Sequence, residues 1–229
     1  ESQGAGSWRL HPGDRFRGSQ VILSGACGVR AMKANCNLVL EGDKAVLVPY
    51  REEHVAAYHK WMTDPFLQET TASEPLTLEE EYEMQRSWTS DEDKCTFIVL
   101  DKSSPGGHPH GGAMAGDTNL FFNDPDNHRM AELEVMIAEA SSRGKGLGRE
   151  AVTMMMAYGA TRLSVETFVV KIGEANAPSL SLFGTLGFEE VSRSEVFKEV
   201  TMQLQVGEKA GQWLSGVASR WKVLEYDPQ

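Results

Sequence analysis

Between residues 131 and 151 the sequence sets an acidic pair, three alternating glycines and three cations in one short stretch. It reads Ala131-Glu-Leu-Glu-Val-Met-Ile-Ala-Glu-Ala-Ser-Ser-Arg143-Gly-Lys-Gly-Leu-Gly148-Arg-Glu150-Ala151. Gly144, Gly146 and Gly148 allow the main chain to approach an anion closely, and a helix follows at once. The first N–H groups of a helix have no partner within it and carry partial positive charge. A glycine turn opening a helix is therefore a cradle for phosphate, and Arg143, Lys145 and Arg149 add full charges around it. Strand alternation puts Glu132, Glu134 and Met136 on one face, with Leu133, Val135 and Ile137 on the other. Two carboxylates beside a bound electrophile can take a proton from an attacking group, directly or through water.

The spacing narrows the phosphate compound. A Walker loop needs G-x-x-x-x-G-K followed by Ser or Thr, whereas Lys145 lies between glycines. A dinucleotide fingerprint, G-x-G-x-x-G, fails at Arg149 when counted from Gly144, although Glu166 stands near the spacing of a ribose-binding acid. That fingerprint also belongs to a parallel unit, and here the preceding strand closes an antiparallel hairpin.

The elements that must position these residues follow from the pattern. Ala45 to Pro49 reads as the first strand. Val55, Tyr58, His59 and Met62 fall on one helical stripe that Thr63-Asp64-Pro65 ends. Thr77-Leu-Glu-Glu80 is a capping box opening a helix to about Trp88. Cys95 to Leu100 has the length and apolarity of a strand, and 102–112 is a Pro/Gly/His loop in which His108 and His110 are expected to be solvated. Strands at about 113–122 and 130–138 flank the turn Asn123-Asp-Pro-Asp-Asn127. The helix after Gly148 puts Leu147, Ala151, Met154 and Tyr158 on one face, and Met154 to Met156 are expected to pack in the core. Thr167 to Ile172 is a β-branched strand. Pro178 and Gly187 bracket a further helix, and strands near 188–193 and 197–206 complete the set. The fold class is mixed α/β, parallel only where a helix crosses over between strands.

Composition excludes several classes. A formal net charge of −11 opposes a clamp on nucleic acid or on an anionic membrane face. No apolar run approaches the roughly 20 residues that span a bilayer. Cys27, Cys36 and Cys95 show neither disulfide nor zinc spacing, and they fit free thiols in a reducing cytoplasm. No metal centre is expected. Residues 1–31, rich in Gly, Ser and Arg, are expected to be a disordered or added leader, with Met32 as the natural start. Residues 32–206 are expected to form the catalytic domain, and 207–229 a tail whose Trp213 and Trp221 could dock as a helix.

Arg143-Gly-Lys-Gly146-Leu-Gly148 matches the Q/R-x-x-G-x-G/A signature of the GCN5-related N-acetyltransferase (GNAT) superfamily. Asn176-Ala-Pro-Ser179-Leu-Ser-Leu-Phe183-Gly-Thr-Leu-Gly187-Phe188 resembles its second motif, N-x-x-A/S-x-x-x-Y-x-x-x-G-F. The helix start at Gly148-Arg-Glu150-Ala151 is similar to the branch of bacterial ribosomal-protein N-terminal acetyltransferases. From Met32 to about Leu214 the sequence resembles the N-acetyltransferase 9 family, through Leu47–Tyr50, Thr71–Thr77, Cys95–Leu100 and Glu134–Glu139.

The resemblance implies a central, mostly antiparallel sheet with one splayed parallel strand pair and flanking helices, acetyl-coenzyme A wedging into the gap. It implies that the main chain of Met136, Ile137 and Ala138 bonds the pantetheine arm. The amides of Arg143, Gly144, Lys145, Gly146, Leu147 and Gly148 would hold the pyrophosphate, and a strand amide near Met136 would steady the developing oxyanion. Asn176, Ser179 and Phe183 occupy second-motif positions beside the coenzyme. Glu132 stands eleven residues before Arg143, as the base does in histone acetyltransferases of the superfamily, so Glu132 is the first choice of base and Glu134 the second. Phe183 departs from the pattern: a Tyr there would protonate the leaving thiolate. A coenzyme A thiol resembles cysteine, at about 8.5, and can leave unaided. The activity implied is acetyl transfer from acetyl-coenzyme A, by direct attack, to a protein or peptide amine, with an N-terminal α-amino group and tubulin as candidates. An α-amino group, at about 7.7–8.0, needs less help than lysine at about 10.4. Phe183 keeps open the alternative of a non-catalytic acyl-coenzyme A scaffold or microtubule-associated module.

Overall fold

The structure is a computed structural model describing residues 34–71 and 73–227, so the leader expected at 1–31, Met32 and Cys27 lie outside the described residues. Among the described residues nine strands form one sheet: β1 (Leu38–Glu41), β2 (Ala45–Pro49), β3 (Lys94–Asp101), β4 (Ala113–Phe121), β5 (Met130–Ile137), β6 (Thr167–Gly173), β7 (Glu189–Ser194), β8 (Glu199–Gln205) and β9 (Lys222–Glu225). Their order is β7-β8-β6-β5-β4-β3-β2-β1-β9. The helices are α1 (Val55–Met62), α2 (Pro65–Thr70), α3 (Leu78–Ser90), α4 (Leu147–Arg162), α5 (Ala177–Thr185) and α6 (Glu208–Ala218).

Every neighbouring pair is antiparallel except β5 and β6, which α4 separates in the chain. Parallel strands need such a crossover. The parallel pairing is short: Met130 faces Thr167, Ala131 faces Phe168 and Glu132 faces Val169. Beyond that point β5 stays with β4 as far as Ile137, and β6 stays with β8 as far as Gly173. The two strands part there and leave a notch.

The sheet carries a core on each face. On one side Phe97, Leu133, Phe168 and Val200 pack against α4, whose Met154, Met155, Met156 and Tyr158 are all buried. On the other, Val46, Tyr50, Ile98 and Met136 meet Tyr58, Trp61 and Met62 of α1. Trp61, rather than His59, turns inward on α1. The Thr77–Glu80 capping box forms: the Thr77 N–H donates to Glu80 at 2.8 Å, and the Glu80 N–H donates to the Thr77 hydroxyl at 3.3 Å. Asp64 and Pro65, which end α1, also start α2, because the Asp64 carboxylate accepts the Phe66 N–H and Pro suits a first helical position.

Two strands were not anticipated, β1 and β9, and they pair with each other from Leu38–Glu225 to Glu41–Lys222. Residues beyond 207 are thus built into the sheet. In α6 the buried side chains are Leu214 and Val217, while Trp213 faces outward. The loop histidines are not simply solvated. His108 Nε2 lies 3.3 Å from Nε2 of the buried His54, and both rings pack against Tyr226, which follows β9. The Tyr226 hydroxyl donates to Glu53 at 2.6 Å, and His110 accepts the Asp227 N–H at 3.1 Å. No helix among the described residues is long and apolar enough to cross a membrane.

Candidate functional site

The glycine turn is held from three directions. A single 3-10 turn, Ala140–Ser142, leads into it from β5, and the Ser142 hydroxyl donates to Asp101 at the end of β3 at 2.7 Å. Burial disfavours the charged Asp101, but donors from Ser103, Ser142 and Ser104 outweigh it and hold the carboxyl at about 2. From the β1–β2 turn, the Lys44 ammonium donates to the Lys145 carbonyl at 2.7 Å. Glu150, in the first turn of α4, accepts the N–H groups of Asp43 and Lys44 at 2.6 and 2.8 Å.

Within the turn, Gly144 and Gly146 have φ of +73° and +84°, a region that disfavours any residue with a Cβ. Gly146 is the N-cap of α4, and the first helical bond runs from Glu150 N–H to the Gly146 carbonyl. The N–H groups of Gly144 to Arg149 have no acceptor among the described residues. They form a row of donors at a helix N-terminus, the chemistry a diphosphate requires.

The side chains of this motif are engaged differently from the expected halo of charge. Arg143 turns back on the strand end: its guanidinium donates to the carbonyls of Ile137 and Ala138 at 2.7 and 2.8 Å and lies over the Phe66 ring. Those carbonyls, expected to face the pantetheine arm, accept from Arg143 here because a planar guanidinium satisfies both at once. Arg149 reaches the Thr185 hydroxyl at the end of α5. Lys145 is exposed. Across the sheet Gly116 pairs with Ile137, and a Cβ on Gly116 would sit 1.8 Å from the Met136 carbonyl oxygen, so only glycine lets β5 crowd in at this point.

Asn176 caps α5, accepting the Ser179 N–H at 3.2 Å. Phe183 is buried and meets Phe188 edge-on at 5.1 Å. Tyr158 packs edge-on against Phe97 on the face of the sheet away from the acids, so it supplies no substitute proton donor.

The acids separate in role. Glu132 sits where β5 and β6 still pair, and its carboxylate accepts from Lys171 at 2.9 Å and Asn123 at 3.4 Å. Glu134 lies just past the last parallel pair, opposite Asn119 of β4. Its side chain is open to solvent. Desolvation pushes its carboxyl up, Lys94 pulls it down, and Glu132 and Asp117 push it up again. Asp117, fully buried on the same face, is pushed up to about 6, chiefly by desolvation and against the bonds it receives from Asn119 and Tyr58. Among the described residues no group of three or more His, Cys, Asp or Glu could hold a metal ion.

Reading the sequence missed the bracing groups, Lys44, Asp101, Ser142 and Glu150, and the polar layer of Lys94, Asp117 and Asn119. The second set carried a signal: polar residues at alternate positions of apolar strands.

A family model described as acetyltransferase (GNAT) domain matches residues 44–189. The chain is 58% identical over 174 residues to an N-acetyltransferase 9-like protein of Nematostella vectensis, covering 75% of this chain and 88% of that one. It is 53% identical over 188 residues to alpha/beta-tubulin-N-acetyltransferase 9 of Homo sapiens, covering 80% and 90% respectively. Among solved structures it is similar in fold to spermidine N-acetyltransferase from Vibrio cholerae in complex with CoA and spermine. That match has a TM-score of 0.63 and 18% identity, over 72% of this chain and 96% of that one.

Proposed function

Since the chain belongs to the acetyltransferase (GNAT) domain family and is an N-acetyltransferase, we propose that it acetylates the N-terminal α-amino group of a protein, with tubulin the first candidate. The observation that carries the reading is a juxtaposition. The amides of Gly144 to Arg149 follow the end of β5 at the start of α4, and Glu134 lies on β5 just past its last pair with β6. Those amides would hold the pyrophosphate of acetyl-coenzyme A, which supplies the activated acetyl group.

We assign the base to Glu134 ahead of Glu132. Lys171 and Asn123 both engage Oε2 of the Glu132 carboxylate, whereas Glu134 lies past the paired segment. Glu134 takes a proton from the amine as its nitrogen bonds to the acetyl carbon, the carbon–sulfur bond breaks, and the electron pair leaves with sulfur. A carboxyl raised by its surroundings is closer in affinity to an α-ammonium, at about 7.7–8.0, than to lysine at about 10.4, which supports the α-amino acceptor. Cys36 and Cys95 are free thiols, in accord with a cytoplasmic setting.

Phe183, buried and without a proton to give, supports a second reading: a binding module that holds acyl-coenzyme A without turnover. The test is incubation with acetyl-coenzyme A and a library of N-terminal peptides that includes those of α- and β-tubulin, read by mass spectrometry. Transfer to α-amines that Glu134→Gln abolishes, with coenzyme binding retained, supports the first reading. Binding without transfer to any peptide supports the second.

A further inference from the structure

Lys94 begins β3 and is 4% exposed, although lysine is rarely buried without a partner. Its ammonium lies 2.8 Å from the centre of the Trp88 ring of α3 and 4.3 Å from that of Phe121. No carboxylate among the described residues stands within ion-pair distance of it. Burial pulls Lys94 down to about 7, and the Glu134, Asp117 and Asp91 carboxyl groups oppose that fall; the aromatic faces favour the cation without forming an ion pair.

The sheet register shows where that charge acts. Lys94 pairs with Phe121, which pairs with Glu132; the next row on the same face is Thr96, Asn119 and Glu134. Asp117 lies on that face too, bonded by Asn119 at 2.7 Å and by Tyr58 of α1. The groups around Glu134 are therefore Lys94 from β3, Asp117 from β4, Glu132 from β5, Lys171 from β6 and Tyr58 from α1. Asp91, after α3, also acts on Lys94, and Glu81 of α3 acts on Tyr58. Lys171 is committed to Glu132 at 2.9 Å. Lys94 is left on the same face as the buried Asp117 and the solvent-open Glu134.

We infer that Lys94 is a positioning residue for the transfer: seated between two aromatic rings on the Glu134 face of the sheet, its ammonium favours the ionised Glu134 against the acids beside it. The inference rests on Glu134 as base. The aromatic seat matters because a direct ion pair would occupy the carboxylate oxygens. An ammonium held at one remove supplies the field and leaves those oxygens free for the amine's proton. Lys94 is also the largest charge acting in favour of the ionised Glu134.

The experiment is the pH profile of kcat/KM for the whole chain, with carbon-13 NMR titration of the Glu134 carboxyl. For Lys94→Met the acid limb should move up by about one unit, so that kcat/KM falls about tenfold below it. Activity should recover at alkaline pH, and affinity for acetyl-coenzyme A should not change. Lys94→Arg should restore the limb, because guanidinium also stacks on aromatic faces. Should Lys94→Met not fold, Trp88→Leu carries the test, since it unseats the ammonium and should move the limb the same way. A limb and a carboxyl titration unmoved in the variant that folds overturn the inference. Full activity in Glu134→Gln removes instead the reading beneath it.

Discussion

Glu150 accepts the main-chain N–H of Lys44 at 2.8 Å, tying the first turn of α4 to a hairpin 106 residues earlier. Its other oxygen takes the Asp43 N–H, and Lys44 returns a bond to the Lys145 carbonyl. The glycine turn is thus braced by residues that need not touch the cosubstrate. Glu150→Ala should raise the dissociation constant for acetyl-coenzyme A about tenfold and leave kcat largely intact. It should also lower stability by about 1–3 kcal/mol through lost charge-assisted bonds. Calorimetry and urea melts read both; a variant with native affinity would show that the brace is dispensable.

Two glycines separate binding from folding. At Gly146 a Cβ would stand 3.0 Å from the Lys44 ammonium, the mobile end of a side chain. Gly146→Leu should keep the circular dichroism of the native fold while weakening coenzyme binding at least tenfold, because strain of about 1–3 kcal/mol falls on the donor row. At Gly116 the obstacle is the Met136 carbonyl, which cannot step aside. Gly116→Ala should lower the melting temperature and abolish turnover together.

The pH response of turnover follows from Glu134. Its carboxyl is raised, and a base at Glu134, as proposed, works only when ionised, so kcat/KM should fall on acidification well above the about 4.3 of an ordinary glutamate. Glu132→Gln should lower this limb by removing a neighbouring negative charge. A limb that moves up in that variant would contradict the electrostatic picture.

Acid should also loosen the β9 side of the sheet. Burial lowers His54 to about 4, assisted by His108 and Arg51 and opposed by Glu53. The unfolded chain, titrating near 6.5, binds more protons than the native one between those values. Stability is complete above about 6.5 and declines toward pH 4, by up to about 3 kcal/mol. His54→Asn, which keeps an acceptor for the Arg51 N–H that His54 now takes at 3.0 Å, should flatten the decline in urea melts across pH. An equally steep decline would place the titrating group elsewhere.

How much of this was readable depended on the range over which each signal acts. The turn, the acid pair and the capping box are local: glycine at fixed offsets before a helix, alternation along one strand, Thr77 and Glu80 three apart. β1 and β9 are four residues each, and their strand character comes from pairing across almost the whole chain, which no short window carries. The same holds for Lys44 with Glu150 and for Ser142 with Asp101. Between Glu132 and Glu134 alternation could not choose, because it puts both on one face; what divides them is where β6 leaves. His108 looked like a loop residue because its partners, His54 and Tyr226, lie far off in sequence.

The parting of β5 from β6 also bears on how much of the protein endures. Peptide groups along that seam lack a strand to answer them, and a guest bearing amides of its own can serve as the missing rung. At a hundredfold excess over its dissociation constant such a guest adds about 2.7 kcal/mol to stability. Saturating coenzyme A should therefore raise the melting point, and an unmoved transition would refute this. Supply of acetyl donor would then govern the lifetime of the catalyst as well as its pace.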